Sequence, residues 1–358
     1  MSNKKTTKKP TVLIILDGWG LAPASKGNAV ALAKTPTMDS LWKKYPHAKL
    51  LAYGKNVGLP DNQEGNSEAG HINLGAGRVV TQDSVYINNA IEDGTFFKNT
   101  AFKEAIKHLK KYKTRMHLMG LLSNGESAHS SPDHIYALLN LAKRENVHSV
   151  FLHLFTDGRD SSQHAAINLI KDLKKKFKNQ EKIVTISVRF YAMDRKKNWQ
   201  NIEKVYRAMV LGEGERAKSP EEAITRAYNR GQTDEFIIPT VIMDSRKKPI
   251  TIEDNDIIVF FNLRSDRARE LTKAFVQPNF EKLNSGTFQR KKIPQNIRFV
   301  AMTDFGPDLP HIFTAFPSRD IKNSLTMVLK DYSQLYLSLI HISEPTRPLY
   351  ISYAVFCL

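Results

Sequence analysis

Short runs of apolar, often β-branched residues recur along the chain, and segments whose apolar positions fall at helical spacing lie between them. VLIIL (12–16), VFLHLF (150–155), IVTISV (183–188), DIIVFF (256–261) and IRFVAM (297–302) have the length and continuity of strands buried on both faces. LWKKY (41–45), HIYALLNLAKREN (134–146) and NIEKVYRAMV (201–210) read as helices. Ser219-Pro220-Glu221-Glu222 is a helix start, with serine at the cap, proline at the first helical position and a glutamate three residues after the cap. Strands alternating with helices predict α/β domains with largely parallel sheets. The chain shows neither an internal repeat nor a long low-complexity stretch.

Several of these runs end in ionisable residues followed by a tight turn. VLIILDGWG ends on Asp17, FLHLFTDGRD on Asp157, Arg159 and Asp160, and IVFFNLRSDR on Arg264 and Arg267. The carboxyl ends of strands form the ligand crevice of an open α/β sheet, so acids and arginines placed there point to metal and phosphate chemistry. Asp17 is placed to bind a divalent cation from a rigid strand end, or else to act as a turn acid before Gly18. QEGNSEAGHINLGAGR (63–78) is punctuated by glycines and puts Ser67 where a helix N-terminus favours a phosphoryl group. A simple capping serine is the alternative there.

Composition narrows the class. At 358 residues two domains are the natural expectation, and 41% hydrophobic with 25% charged residues is a soluble globular balance. No stretch of about 18 apolar residues is present, so no membrane span is expected. The net charge of +17 admits two readings, attraction of small phosphorylated anions or of nucleic acid. Much of the excess lies in KHLKKYKTR (107–115) and KDLKKKFK (171–178), which read as solvated helix faces, and no RNA-binding aromatic signature or zinc-finger spacing accompanies it. Residues 1–9 read as a disordered basic tail. The single cysteine, Cys357, excludes an intramolecular disulfide and suits a reducing cytoplasm.

DGWG near the start and GNSEAGHINLGAGR some 50 residues later, followed by ESAHSSPDH, TDGRD, RFYAMDRKKNW, NLRSDRAR and MTDFGPDLP in that order, resemble the 2,3-bisphosphoglycerate-independent phosphoglycerate mutases over about residues 10–330. These are α/β enzymes with an alkaline-phosphatase-like domain into which a second α/β phosphotransferase domain is inserted. The resemblance implies interconversion of 3-phosphoglycerate and 2-phosphoglycerate in glycolysis through a phosphoserine, with two manganese or magnesium ions and no 2,3-bisphosphoglycerate. It implies that Asp17 and Ser67 ligate one metal, and that Ser67 is also the nucleophile. It implies further that His129, Arg159, Asp160, Arg189, Arg195, Arg264 and Arg267 bind substrate. The expected partner is a small phosphoglycerate, with no nucleic acid or membrane, and the expected state is a cytoplasmic monomer.

By the same resemblance, residues 10–88 and 310–330 belong to the phosphatase-like domain, present in part, and 89–309 form the inserted domain. The chain departs from the family's pattern at Val188, where a glycine is usual, at Phe190 in place of a tyrosine, and at Glu126-Ser127-Ala128 in place of a more glycine-rich turn. The family's later metal motifs and its late substrate-binding lysine find no counterpart after about Leu329. Residues 331–358 hold no lysine and one arginine, Arg347, and SLIHISEPTRPLYISYAVFCL (338–358) resembles translated adapter or vector sequence. They read as a non-native tail, and the chain as written is expected to lack mutase activity. Two rivals are a metal-dependent phosphatase of the same superfamily, which needs Asp17 and Ser67 but not the arginine motifs, and a non-enzymatic basic binding module.

Overall fold

The computed structural model describes residues 12–61, 63–178, 180–319 and 321–329. The expected basic tail at 1–9, the tail at 331–358 and Cys357 lie outside the described residues. Two compact units divide the chain. One holds the described residues of 12–57, 65–80 and 321–329, and the other those of 58–64 and 81–319.

The second unit is built on eight strands: β1 (Met116–Leu121), β2 (Val150–Thr156), β3 (Lys182–Val188), β4 (Glu215–Ala217), β5 (Thr240–Ile242), β6 (Ile257–Phe260), β7 (Arg298–Thr303) and β8 (Ile312–Phe316). They form one sheet in the order β4-β5-β3-β2-β1-β6-β7-β8. Every neighbouring pair is parallel except β3 with β5, so the short pair β4 and β5 runs against the rest. Met116 pairs with both Val150 and Ile257, and Ile257 with Arg298, which keeps the central strands level with one another. From β1 the chain winds outward through β2 and β3, then returns to β6 on the other flank of β1. The reversal of strand order therefore falls between β1 and β6, the position at which open α/β sheets place a ligand crevice.

Both faces of the sheet are covered, and this explains the continuous apolar runs. On one face Leu118, Leu152, Leu154, Val259 and Val300 pack against helices Thr100–Tyr112, Pro132–Arg144, Ala166–Lys174 and Pro220–Asn229. On the other, Met119, Phe155, Ile258, Phe260 and Phe299 meet helices Trp199–Val210 and Arg269–Val276. Leu152 is fully buried, so Leu152→Ala is expected to cost ~2–5 kcal/mol. The Ser219 hydroxyl oxygen accepts the Glu222 N–H at 3.1 Å, as its cap pattern predicts. Lys103, Lys107, Lys110 and Lys111 point outward, as do Lys171, Lys174, Lys175 and Lys176, consistent with solvated lysine faces.

The first unit departs from expectation. Residues 12–16 form no strand, and Val12, Leu13 and Ile14 are 74%, 69% and 64% exposed. A single β-branched run gains strand structure only from neighbours that accept its backbone hydrogen bonds and cover its faces. Among the described residues of this unit there is no other strand to do so. Its ordered parts are helices, including Pro36–Lys44, which contains most of the predicted LWKKY segment, and Ser67–Ala76.

Candidate functional site

In the first unit, Asp17 lies in a turn just before Gly18, whose φ of +77° suits glycine. The Ser67 hydroxyl donates to Asp17 Oδ2 at 2.5 Å, across 50 residues of sequence. Ser67 is the first residue of its helix but not its cap, because Asn66 accepts the Ala69 N–H at 2.9 Å. That division of labour leaves the serine hydroxyl available at a helix N-terminus. Gly65 is required before it, since a Cβ there would lie 1.8 Å from the Ala52 carbonyl oxygen. Asp17 and Ser67 supply two hard oxygen donors, of the kind manganese and magnesium take. Among the described residues no group of three or more His, Cys, Asp or Glu side chains gathers as a metal site.

In the second unit the connections after β1, β2, β3 and β6 bring seven of the predicted residues into one field. After β2, Asp157 Oδ1 accepts the N–H groups of Arg159 at 3.3 Å and Asp160 at 3.2 Å, shaping the DGRD turn. Gly158 holds φ +67°, and a Cβ there would lie 2.7 Å from the Glu235 nitrogen. Arg189, directly after β3, is buried and pairs with Asp157 and, at 2.9 Å, with Asp160. The Ser127 hydroxyl, in the connection after β1, donates to Asp160 Oδ2 at 2.7 Å. Burial alone would raise the Asp160 pKa, but the Ser127 and Arg189 bonds outweigh it and hold it below the ordinary carboxylate value.

After β6, Asp266 links two arginines, to Arg195 at 3.2 Å and to Arg264 at 3.3 Å. Arg267 donates to the Met193 carbonyl oxygen at 3.1 Å. Burial, and then the charges of Arg195 and Arg189, press its pKa down to about 10, with Arg159 adding to the same field. His129 is 5% exposed, and burial together with Arg264, Arg189 and Arg267 drives its pKa well below the ordinary histidine value, so its ring is neutral. Its Nδ1 has no hydrogen-bond partner, and neither have Asp157 Oδ2, Ser187 Oγ and Asn262 Nδ2. An unmet buried polar atom costs ~1–3 kcal/mol unless a ligand or water meets it.

Sequence reading gave no site role to Asp266, Asn262 or Ser127, the last noted only as a departure from a glycine-rich turn. Asp266 carried a signal, an acid set between two arginines in NLRSDR. Asn262 carried none: its Oδ1 accepts the Leu121 N–H at 2.8 Å, a contact only the sheet creates. Val188, where the family favours glycine, has an ordinary extended backbone and a fully buried side chain, whereas Phe190 is exposed beside Phe236.

His117 and His153, which sequence reading left without a role, join a second buried polar group toward the amino ends of β1, β2 and β6. Asp256 accepts from Arg115 Nη2 at 2.7 Å, from the Glu253 N–H at 2.8 Å, and from His117 Nε2 at 3.1 Å. With that nitrogen donating, His117 Nδ1 accepts from His153 Nε2 at 2.9 Å, and His153 Nδ1 accepts from the Thr185 hydroxyl at 2.9 Å.

Guanidiniums gathered at the carboxyl ends of a parallel sheet, where strand order reverses, are an arrangement of α/β proteins and one suited to paired hydrogen bonds with phosphate or carboxylate oxygens. The family described as "BPG-independent PGAM N-terminus" matches residues 87–307. A 2,3-bisphosphoglycerate-independent phosphoglycerate mutase of Clostridium perfringens is 45% identical over 321 residues, covering 89% of this chain and 61% of that protein. One of Methanococcoides burtonii is 46% identical over 327 residues, covering 90% and 62%. A Leishmania mexicana phosphoglycerate mutase, crystallised at low cobalt concentration, superposes with a TM-score of 0.78 at 31% identity, covering 88% of this chain and 59% of that one. The chain belongs to the BPG-independent phosphoglycerate mutase family. It spans about 61% of the length of the curated relatives it matches. Among the described residues no helix is long and apolar enough to cross a membrane.

Proposed function

We propose that the protein interconverts 3-phosphoglycerate and 2-phosphoglycerate, and that the second unit holds the glycerate during transfer. The observation that carries this reading is the cluster of Arg189, Arg264 and Arg267 around a buried neutral His129 whose Nδ1 has no partner. Guanidinium forks bind phosphate and carboxylate oxygens in pairs, and phosphoglycerate offers both groups. A neutral imidazole can donate to or accept from a glycerate hydroxyl, and Asp160 as carboxylate can take a hydroxyl proton. Arg159 and Arg195, more exposed, add charge at the rim. In this reading residues 89–309 are the substrate-holding domain, and residues 10–88 with 310–330 belong to a phosphatase-like one.

The chemistry assigned to Ser67 is nucleophilic. Its Oγ forms a bond to phosphorus while the substrate's carbon-side oxygen leaves and takes a proton. The neighbouring glycerate hydroxyl then attacks the phosphoserine, loses its proton and releases Ser67. Asp17 and Ser67 would hold a manganese or magnesium ion, which when bound supplies charge neutralisation and lowers the serine pKa. Glycerate must stay bound between the two steps, or water would take the phosphate. The relatives' names describe mutases rather than hydrolases, which favours retention.

Calorimetric titration of the purified chain with 3-phosphoglycerate, glycerate and sulfate tests the binding half. Binding of 3-phosphoglycerate at least tenfold tighter than of either other anion is expected; equal binding of all three would remove the reading. For the transfer half, we expect no turnover by the chain alone, because only two metal donors are assigned to it. Manganese-dependent turnover with host mutase excluded would overturn that expectation. In a version extended to the relatives' length, Ser67→Ala should abolish turnover, and phosphate mapped to a histidine would remove Ser67 as nucleophile.

A further inference from the structure

Arg195 lies in a segment whose shape is fixed by two carboxyl groups rather than by regular structure. Asp194 Oδ1 accepts the N–H groups of Lys196 at 2.8 Å and Asn198 at 3.0 Å. Lys197 adopts a φ of +58°, a left-handed conformation that a lysine reaches only when its surroundings hold it there. Its N–H donates to Glu270 Oε1 at 2.8 Å. Glu270 is 8% exposed and sits one helical turn beyond Arg267, which itself donates to the carbonyl of Met193 at the start of the same segment. The two contacts clamp the segment carrying Arg195 to the element carrying Arg264 and Arg267. We propose that Glu270 is a positioning residue for the anion site, holding Arg195 in place through the Lys197 N–H with the Asp194 carboxyl as its neighbour. The proposal rests on the reading of this cluster as a phosphoglycerate site.

Glu270 Oε2 is buried, near the Asp194 carboxyl. Burial, and then the neighbouring Asp194 carboxylate, raise the Glu270 pKa to about 7, against the Lys197 N–H bond and, less, the Lys273 charge, which lower it. The uncharged carboxyl can lie beside Asp194, whereas the ionised one adds a like charge inside the clamp. Glutamine reproduces the uncharged form at every pH and keeps the acceptor for Lys197. Leucine keeps the packing and loses the acceptor.

The test is 3-phosphoglycerate binding to the chain 1–358, measured by calorimetry for wild type, Glu270→Gln and Glu270→Leu from pH 6 to pH 8.5. Glu270→Leu should bind about tenfold or more weakly, the scale of losing an outer partner of a ligand-holding group, and Glu270→Gln should bind as wild type at pH 6. Above pH 7 wild type should weaken relative to Glu270→Gln. That ratio cancels the ionisation of the phosphate, which every variant shares. If wild type binds and Glu270→Leu binds equally well, or if the wild-type to glutamine ratio is flat with pH, the positioning role is overturned and the site reading stands. If wild type itself does not bind, both fall.

Discussion

The sheet of the second unit buries polar side chains near both ends of its parallel strands, and the two ends partner them differently. Toward the amino ends, Thr185, His153, His117, Asp256 and Arg115 form one directional chain in which each hydrogen-bonding atom named above meets another. At the carboxyl ends, His129, Asn262, Ser187 and Asp157 each leave a buried atom unmet, and Arg267 sits among like charges. A satisfied network resists change because removing any member strands a buried partner. An unsatisfied one stores free energy that a matching ligand can release. On the proposed reading, the difference separates buried polar groups that serve stability from those that serve binding, although both sets include histidine, arginine and aspartate.

The largest expected effect comes from breaking the amino-end chain. Asp256→Ala strands Arg115 and the His117 N–H, and should cost ~3–5 kcal/mol in urea unfolding, the scale of removing one partner of a buried ion pair. A loss below about 1 kcal/mol would mean that end is no more important to stability than an exposed pair.

Acid should act next. Burial depresses the pKa of His117, and burial, with a second imidazole beside it, depresses that of His153 further. A histidine held neutral in the fold but free to protonate when unfolded stabilises the fold above its unfolded value near 6.5 and loses that contribution as pH falls toward its folded value. Asp256, held below the ordinary carboxylate value despite burial, changes stability in the same sense but at lower pH. Stability should therefore fall from about pH 6.5 downward, by up to ~1.4 kcal/mol per pH unit for each neutral buried histidine. Urea midpoints that stay level or rise between pH 7 and pH 5 would contradict the hydrogen-bond direction assigned to the chain.

At the carboxyl end the same size of chemical change should alter binding with little effect on stability. Arg264→Lys keeps the charge but loses the guanidinium fork, and should weaken 3-phosphoglycerate about tenfold (~1.4 kcal/mol) with the melting temperature nearly unchanged. The smallest effect has the opposite sign for stability. Arg267→Met removes a cation crowded by Arg195 and Arg189, and should gain ~0.5–2 kcal/mol in the unliganded protein while losing anion binding. A destabilised Arg267→Met that still binds 3-phosphoglycerate would erase the contrast between the two ends.

How much of this was legible in the sequence depended on how local the cause was. DIIVFF announced β6 because a strand covered on both faces is apolar throughout, and Ser219-Pro220 announced a helix because cap, proline and glutamate act within four residues. β1, the centre of the sheet, passed unseen: MHLMGL lacks β-branched residues and carries a histidine and a glycine. His117 is tolerated there only because His153 and Asp256 arrive from β2 and from just before β6. VLIIL misled in the other direction, having the composition of a strand without described neighbours to make it one. The arginines of RFYAMDR and NLRSDR were visible as motifs, yet nothing in either motif told that Asp266 would join Arg195 to Arg264.

By itself the sequence determined β2, β3, β6 and β7, the capped helices on their flanks, and an ordered series of motifs that identifies the family. Those features follow from spacing along the chain, which covalent geometry carries directly into side-chain direction. Only the tertiary structure decided the reversal of strand order between β1 and β6, the neutral state of His129, the crowding of Arg267 and the bond of Lys197 to Glu270. Each of these depends on desolvation and on charges a few ångströms away in space but up to 138 residues away in sequence, as from His129 to Arg267. Solvent exposure and charge–charge distance are set by packing, and no local pattern of residue types encodes them.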